Sequence, residues 1–452
     1  MKNIKDILPG KVSTSPEELY CYGFDASSKQ GMPSAVVRPV TTEDVSKIAS
    51  FASEHKVSLV PRGAGSGMTG GAVPLIGSVV LSFECMNRII EIDERSMIAT
   101  VEPGVINGQF QDRLVPLHLF YPPDPSSMGF CTIGGNVSEN AGGPRAVKYG
   151  VTRDYVLGLE VVLPDGSVIN TGSRTFKGVV GYDITSLMVG SEGTLGIITK
   201  VFLKLLALPE ETVTLLCSFP DLDKAALAVP EITSSGIIPS VLEFMDREAI
   251  LAVEQYKPVG MPLDAEAVLL IESDGTRRHV LEEAEKIASV CKSLGADVRI
   301  ADDVFSRKRL WDSRRALSPA LYHISPTKIN EDIVVPRARI PDMLNALKGI
   351  AIRHDLKIVN FGHAGDGNIH VNIMTDENNT EEFRRATEAV KDVFEAALSL
   401  DGTISGEHGI GLTKAPYLNM ELSGASISLM KAIKNVFDPE GILNPGKIFP
   451  SN

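Results

Sequence analysis

Two histidines flank a predicted turn in residues 360–372, and their type and spacing suit metal binding. Asp366 and Gly367 lie between apolar runs, which is the strongest short-range signal for a two-residue hairpin turn. That turn places His363 directly opposite His370, with Cβ atoms roughly 5 Å apart. Two imidazoles at this separation can bind one divalent metal ion. The prediction depends on the register, because a slip of one residue would send the two side chains to opposite faces of the hairpin.

A second polar stretch, residues 405–411, adds Glu407 and His408. Two histidines together with Glu407 leave one coordination position open, as in catalytic zinc sites. Such a metal would bind the hydroxyl and one carboxylate oxygen of an α-hydroxy acid and lower the pKa of the hydroxyl. His408 would then accept the hydroxyl proton as general base. Any one of these histidines alone is more often structural, but the density of polar residues favours a metal site, which suits zinc, iron or manganese.

Three cationic side chains are candidates for binding a substrate carboxylate. Arg314 and Arg315 lie on a predicted helix over residues 309–318 and offer a guanidinium fork. From the charge pattern alone, a solvated helix face explains them equally well. Lys328 opens a predicted strand over residues 328–336, where a surface strand is an equally good explanation.

Three glycine-rich stretches occupy the first half of the chain, at residues 61–72, 124–143 and 190–196. Small residues let backbone N–H groups approach a phosphate closely. Residues 65–70 match the G-x-G-x-x-G pattern of a nicotinamide-binding turn, but the residues that follow predict a strand instead of the required helix. We therefore reject a nicotinamide-binding fold but still predict that the loop binds a phosphate. Three separate glycine-rich stretches suit a dinucleotide ligand.

The composition limits the class of protein. With 452 residues the chain exceeds one ordinary core and predicts two or three domains. No apolar run reaches the about 18 residues of a membrane span, and the N-terminus has no secretory signal. A net charge of −13 argues against nucleic acid as a partner and fits a cytoplasmic enzyme. The five cysteines include no Cys-x-x-Cys pair, so neither a disulfide framework nor an iron–sulfur ligand set is predicted.

Hydrophobic periodicity predicts an α+β protein. A helix capped at Thr41 or Thr42 and ending near His55 is followed by a buried strand, which opens an α/β alternation. Between residues 210 and 300 the order strand, helix, strand occurs twice, and this duplication suits a ferredoxin-like sheet. Apolar stripes predict two further helices, over residues 383–397 and 426–437.

The glycine-rich motifs resemble those of a known family. Arg62-Gly-Ala-Gly-Ser-Gly, Ile133-Gly-Gly-Asn, Gly190-Ser-Glu-Gly-Thr-Leu-Gly and Asn444-Pro-Gly-Lys together look like the vanillyl-alcohol-oxidase (PCMH-type) FAD-binding family. The resemblance implies a two-subdomain PCMH-type FAD-binding domain, a ferredoxin-like antiparallel-sheet cap domain and a small helical C-terminal segment that returns to the flavin. The implied bounds are 1–32 for an N-terminal segment, 33–209 for the FAD domain, 210–415 for the cap with the metal site, and 416–452 for the C-terminal segment. The residues that this resemblance assigns to FAD are Arg62, Gly63, Ala64, Gly65, Ser66, Gly67, Pro123, Ser127, Gly134, Gly135, Asn136, Ala141, Gly142, Glu192, Gly193, Ile197 and Asn444.

Some relatives attach the flavin covalently to a histidine or a cysteine. Residues 63–71 contain no histidine, and the neighbours of Cys131 offer nothing that would lower the pKa of its thiol. We therefore expect non-covalent FAD.

The two polar stretches carry a closer resemblance. Gly362-His-Ala-Gly-Asp-Gly-Asn-Ile-His370 and Ser405-Gly-Glu-His-Gly-Ile-Gly411 are similar to motifs of the D-2-hydroxyacid dehydrogenase branch, which includes D-lactate dehydrogenases, the flavin subunit of glycolate oxidase and D-2-hydroxyglutarate dehydrogenase. It assigns the metal to His363, His370 and Glu407, and the substrate to Arg314, Lys328, Asn372 and His408.

This closer resemblance implies oxidation of a D-2-hydroxy acid, foremost D-lactate, to the 2-oxo acid, with hydride passing to flavin N5. The electrons then leave to a separate acceptor, which is an electron-transferring flavoprotein, a quinone, a cytochrome or an iron–sulfur subunit. The resemblance also implies a homodimer or a hetero-complex.

Alternatives stay open in two classes. Within the enzymes, the alternatives to a D-lactate dehydrogenase are a glycolate oxidase flavin subunit, an oxidase that uses O₂, and a D-2-hydroxyglutarate dehydrogenase. From another class, it is compatible with a non-catalytic subunit whose flavin only relays electrons. The complete set of His363, His370, Glu407 and His408 argues against the relay.

Overall fold

The structure is a computed structural model that describes residues 4–301 and 303–449. None of the helices in this part of the chain combines the length and the apolar content that a membrane crossing requires. The helices are α1 (Ile4–Ile7), α2 (Pro16–Cys21), α3 (Thr42–His55), α4 (Asn107–Leu114), α5 (Ile133–Glu139), α6 (Ala146–Tyr149), α7 (Ile184–Met188), α8 (Leu222–Ser234), α9 (Arg247–Tyr256), α10 (Arg277–Ser293), α11 (Val304–Ala320), α12 (Ile340–His354), α13 (Thr380–Ser399), α14 (Leu418–Glu421) and α15 (Gly424–Phe437). The strands are β1 (Val12–Ser13), β2 (Ala35–Val37), β3 (Leu59–Arg62), β4 (Val79–Ser82), β5 (Ile89–Asp93), β6 (Ile98–Val101), β7 (Leu119–Phe120), β8 (Val156–Val162), β9 (Val168–Gly172), β10 (Ile197–Lys204), β11 (Leu206–Ala207), β12 (Glu211–Phe219), β13 (Val241–Asp246), β14 (Ala267–Gly275), β15 (Asp297–Ala301), β16 (Thr327–Val334), β17 (Lys357–Gly362) and β18 (Asn368–Thr375).

The described residues form two compact units. The first unit comprises the residues up to Gly142, Gly150–Leu208 and the residues from Glu407 onward, and the second comprises Gly143–Tyr149 and Pro209–Gly406. The chain leaves the first unit one residue before the predicted boundary at 209. The predicted N-terminal and C-terminal segments both belong to the first unit, and the second unit ends at Gly406.

Two main sheets build the first unit. In a four-stranded sheet with the order β1-β2-β4-β3, strands β2 and β3 run parallel to β4. Thr41 caps α3 through a capping box with Asp44, and Val45 and Ile48 of this helix are buried in the same core as Leu59. A five-stranded antiparallel sheet has the order β5-β6-β10-β8-β9. The two sheets agree with the predicted two-subdomain architecture.

A β-bridge ties the C-terminal segment to the first unit. Leu443 bridges Leu59 in parallel. The N–H of Leu59 donates to the carbonyl of Ile442 at 2.8 Å, and the N–H of Asn444 donates to the carbonyl of Leu59 at 2.7 Å. Ile442 and Leu443 are both buried in the core of the first unit. The segment therefore extends the edge of β3, because pairing there satisfies backbone polar groups and removes apolar side chains from water.

The second unit contains one seven-stranded antiparallel sheet, in the order β15-β12-β14-β13-β17-β18-β16. Two strand–helix–strand modules, β12-α8-β13 and β14-α10-β15, interleave in its first four strands, which is the predicted ferredoxin-like arrangement. Strand β17 pairs with the edge strand β13 through Phe244 and Gly362 and through Met245 and Phe361. The histidine-rich hairpin is therefore built onto the edge of the ferredoxin-like sheet.

Truncation of Leu443 tests the role of the C-terminal bridge. The side chain has no exposed surface, so Leu443→Ala should lower the free energy of unfolding of the first unit by about 2–5 kcal/mol, because it removes apolar contacts and leaves a cavity. Leu429→Ala is the matched control, since Leu429 on α15 is 63% exposed and its loss should change the free energy by at most about 0.5 kcal/mol. Urea titration followed by circular dichroism measures both, and equal losses would contradict the packing assigned to the segment.

Candidate active site

The hairpin of β17 and β18 has a register that differs from the predicted one. Phe361, instead of His363, pairs with His370. The N–H of Asn368 donates to the carbonyl of His363 at 3.1 Å, so four residues, 364–367, close the turn. The predicted two-residue turn is wrong, because the observed backbone pairing leaves four residues in the loop between the two strands. The slip is two residues, an even number, so His363 and His370 keep the same face of the sheet.

His363 and His370 lie close together in the interior. They are 2% and 5% exposed, their ring centroids are 5.1 Å apart, and their ring planes are nearly perpendicular, at 86°. Glu407, the third predicted ligand, begins the segment that belongs to the first unit, and its part in this group stays a prediction. Two imidazole nitrogens and a carboxylate oxygen are ligands that zinc and similar divalent ions prefer. The donor set therefore fits a divalent metal ion.

The peptide bond before Glu407 is anchored to the strand beside the hairpin. The N–H of Gly406 donates to Oδ2 of Asp332 at 2.9 Å. Asp332 is fully buried and pairs with His370 across β16 and β18. Gly406 is the last residue of the second unit, and Glu407 follows it directly.

The residues after Glu407 are held within the first unit by a buried carboxylate. Oε1 and Oε2 of Glu192 accept the N–H groups of Ile410 and Gly411 at 2.7 and 2.8 Å. The hydroxyl of Thr69 donates to the carbonyl of His408 at 3.1 Å. Burial raises the pKa of Glu192, against the opposing effect of these backbone donors. Glu192, predicted as an FAD residue, therefore positions the segment that carries the predicted base.

Glu243 is a residue that the sequence analysis missed. It is fully buried on β13, its Oε1 meets Nδ1 of His363, and its Oε2 accepts from Nε of Arg314. Burial raises the pKa of Glu243, but the charge of Arg314 and the contact with His363 outweigh this and hold the pKa below its ordinary value. The available signal was an acidic residue inside an apolar predicted strand, because a buried carboxylate requires a partner.

The structure separates the two arginines that the sequence left equivalent. Arg314 is 6% exposed, and its guanidinium lies 4.8 Å from the ring centroid of Phe361. Nη2 of Arg314 is buried and has no acceptor among the described residues. Arg315 lies at the surface, where it pairs with Asp312 at 2.9 Å. Arg314 is therefore the arginine that can serve a buried anion, and its contact with a substrate carboxylate stays a prediction.

Lys328 lies at the start of β16 and packs against the end of α11. Its Nζ donates to Oγ of Ser318 at 2.7 Å and lies 5.0 Å from the ring centroid of Tyr322. Burial lowers the pKa of Lys328 to about 8. The Lys328 ammonium can therefore lose its positive charge close to neutral pH.

Asn372 braces the strand that carries His370. Its amide nitrogen donates to the carbonyls of Val359 and His370, each at 3.1 Å, and its Oδ1 accepts from Asn330 at 2.6 Å. Both amide hydrogens are therefore used within the sheet. Contact between Asn372 and a substrate stays a prediction.

The first glycine-rich loop packs too tightly for a side chain at two positions. A Cβ atom at Gly63 would lie 2.2 Å from Oγ1 of Thr132, and one at Gly65, where φ is +69°, would lie 2.1 Å from Nη2 of Arg62. Nη1 of Arg62 donates to the carbonyl of Phe24 at 2.7 Å. Arg62, predicted as an FAD residue, therefore holds the loop through the backbone, and a strand follows the loop as predicted.

The other predicted FAD residues include Asn444, whose side-chain amide binds two backbone carbonyls, and Asn136, whose buried amide nitrogen has no partner among the described residues. Nδ2 of Asn444 donates to the carbonyls of Gly71 and Glu192 at 2.9 and 2.7 Å. Nδ2 of Asn136 is buried and has no acceptor within the described ranges, so an acceptor on a bound ligand would satisfy it. This orphaned donor beside tightly packed loops fits FAD. The remaining predicted residues lie in the same unit, in loops or at the starts of α5 and β10: Ala64, Ser66, Gly67, Pro123, Ser127, Gly134, Gly135, Ala141, Gly142, Gly193 and Ile197.

Two further groups in the first unit have raised pKa values. Burial raises the pKa of the Cys131 thiol, which disfavours the thiolate that covalent attachment of a flavin would need. Burial and the neighbouring charge of Glu192 raise the pKa of Glu139 well above its ordinary value. Protonation of Glu139 is therefore easier than that of an ordinary glutamate.

Comparison with known proteins decides the family. The FAD binding domain family matches residues 33–172, and the family of FAD linked oxidases, C-terminal domain, matches residues 208–448. The chain belongs to the FAD-linked oxidase family. This membership confirms the predicted oxidoreductase class and the predicted FAD cofactor.

Relatives and solved structures agree with this assignment over nearly the whole chain. The chain is 49% identical to glycolate oxidase subunit GlcD of Bacillus subtilis (95% of this chain, 92% of the relative). It is 36% identical to D-lactate dehydrogenase of Anaerostipes hadrus (99% and 96%) and 36% identical to D-2-hydroxyglutarate dehydrogenase of Stutzerimonas stutzeri (98% and 96%). The structure of p-cresol methylhydroxylase has a TM-score of 0.81 at 21% identity (99% and 96%), which confirms the predicted fold class.

Replacement of Glu192 tests its role as an anchor. Glu192→Gln removes one acceptor from the two backbone N–H groups that the carboxylate serves, so it should lower the free energy of unfolding by about 1–3 kcal/mol. Glu139→Gln is the control, because Oε2 of Glu139 has no hydrogen-bond partner among the described residues, so the replacement should change stability little. Urea titration with FAD bound measures both variants. A larger loss for Glu139→Gln than for Glu192→Gln would refute the anchor.

Proposed function

We propose that this protein catalyses the FAD-dependent, metal-assisted oxidation of a short D-2-hydroxy acid to the 2-oxo acid. One observation carries the proposal: the buried guanidinium of Arg314, with Nη2 lacking an acceptor in the described residues, shares Glu243 with His363. A carboxylate anchor and a predicted metal ligand are thus joined in one buried cluster. The names of the relatives, which act on glycolate, D-lactate and D-2-hydroxyglutarate, support the same substrate class.

In this proposal each side chain has one role. His363, His370 and Glu407 hold the metal, Arg314 binds the substrate carboxylate through Nη2, and His408 accepts the hydroxyl proton. When bound, FAD supplies the hydride acceptor and the divalent metal supplies Lewis-acid polarisation of the hydroxyl.

D-lactate and glycolate are the two leading substrates. The resemblance of the sequence placed D-lactate first, and the 49% identity to a glycolate oxidase subunit favours glycolate. The two acids differ by one methyl group, which an apolar contact discriminates by only about 1–3 kcal/mol. That relative is named as a subunit, which supports the transfer of electrons to a separate partner protein within a hetero-complex.

Anaerobic reduction of the bound flavin tests the proposed function. Mixing the purified flavoprotein with D-lactate, glycolate, L-lactate or D-2-hydroxyglutarate should bleach the oxidised flavin absorbance with D-lactate or glycolate and leave it unchanged with L-lactate. Bleaching by none of the acids would contradict the proposal and favour the electron-relay class. Dye reduction measured under air and under argon should agree for a dehydrogenase, whereas an oxidase would lose dye reduction to O₂ under air.

The pH dependence of turnover tests the proposed role of Lys328. Its pKa is lowered to about 8 by burial, so the ammonium is present below that pH and is lost above it. If this charge helps to bind the substrate carboxylate, kcat/KM should fall as the pH rises through about 8, since kcat/KM reports groups of the free enzyme. Lys328→Arg should move that fall to higher pH, because a guanidinium stays protonated. An unchanged profile in this variant would remove Lys328 from substrate binding.

A further inference from the structure

Glu243 occupies the position opposite His363 at the junction of two strands. The pairs Phe244 with Gly362 and Met245 with Phe361 join β13 to β17, and the same register continued by one pair brings Glu243 to His363. Helix α11 adds Arg314 to the same carboxylate. The two oxygens are divided between the two partners: Oε1 meets Nδ1 of His363, and Oε2 meets Nε of Arg314.

On the histidine side, this contact decides which ring nitrogen is available to a metal. A carboxylate at Nδ1 favours the tautomer with hydrogen on Nδ1, which leaves the lone pair on Nε2. Carboxylates that accept from the second nitrogen of a metal-binding histidine also fix the ring and raise its basicity. Glu243 therefore prepares His363 as a ligand through Nε2.

On the arginine side, the same carboxylate fixes the orientation of the guanidinium. Nε of Arg314 is held by Glu243, and the ring of Phe361 lies 4.8 Å from the guanidinium carbon. Nη2 is then the buried nitrogen that lacks an acceptor among the described residues. Because the guanidinium is planar and rigid, holding Nε also sets the direction of Nη2.

We infer that Glu243 is a positioning residue that serves metal binding and substrate binding at once. This inference rests on the proposed function and adds to it. Loss of Glu243 weakens both the metal affinity and the binding of the hydroxy acid, whereas a change at Arg314 that preserves its charge weakens only the second. A purely structural buried charge would alter neither selectively.

Glu272 offers a matched control on the same sheet. It lies on β14 opposite Val241, so it shares a face with Glu243. It is also buried, and it too accepts from helix α11, since Nε1 of Trp311 donates to its Oε1 at 2.6 Å. Its other hydrogen-bond donor is Thr214, and neither donor is a predicted ligand of the metal.

The experiment compares Glu243→Gln, Arg314→Lys, Glu272→Gln and His370→Ala with the wild-type flavoprotein. The dissociation constant for Zn²⁺ is measured by competition with a chromogenic chelator, and KM is measured with the acid that bleaches the wild-type flavin. Flavin absorbance and circular dichroism report whether each variant retains FAD and folds.

We expect Glu243→Gln to bind Zn²⁺ about 10–100-fold more weakly and to show a raised KM, with partial recovery of turnover at excess Zn²⁺. Arg314→Lys should raise KM and keep the Zn²⁺ affinity, and Glu272→Gln should keep both. Glu243→Asp, which retains the charge with a shorter reach, should give an intermediate Zn²⁺ affinity and serves if the glutamine variant does not fold.

Wild-type Zn²⁺ affinity in Glu243→Gln, or equal weakening in Glu272→Gln, would overturn the inference and leave the proposed function standing. Unchanged Zn²⁺ binding in His370→Ala, or no Zn²⁺ binding by the wild type, would instead overturn the metal role in the proposed function, and the inference with it.

Discussion

The arrangement of the second unit depends on one buried carboxylate that requires a positive partner. Glu243 has no exposed surface, and an isolated charge in such a place is strongly disfavoured. Arg314 on α11 compensates the charge, and Nδ1 of His363, directly after β17, contacts the same carboxylate. Helix, edge strand and hairpin are therefore constrained at the same point, and removal of Arg314 would leave a buried charge uncompensated.

The hairpin gains its position from the sheet to which it is attached. A ferredoxin-like sheet of four strands is complete without it, but β13 leaves an edge that β17 pairs with. An unpaired edge exposes backbone donors and acceptors, so the extension satisfies them and places His363 beside Glu243. In the first unit a second carboxylate acts in a similar way, because Glu192 accepts two backbone N–H groups and holds the residues that follow Glu407.

Much of this architecture follows from local patterns. The helix from Thr42 to His55, with its capping box at Thr41 and Asp44, and the two strand–helix–strand modules were predictable because capping and hydrophobic periodicity act over a few residues. The rejection of a nicotinamide-binding turn at residues 65–70 was also local, since the residues that follow cannot begin a helix. The C-terminal segment was harder, because Leu443 pairs with Leu59, a residue almost four hundred positions away.

The candidate site likewise combines features that follow from the sequence with features that depend on distant contacts. The sequence by itself determined that His363 and His370 lie on one face of a hairpin, and the structure places their ring centroids 5.1 Å apart, even though the predicted turn was two residues too short. Only the tertiary structure decided that Arg314 is the buried arginine and Arg315 the exposed one, that Asn372 and Arg62 brace the backbone, and that Glu243 joins the anchor to the ligand. The physical reason is that residue type and spacing define which chemistry is possible, whereas burial and charge compensation depend on contacts between elements that are distant in the chain.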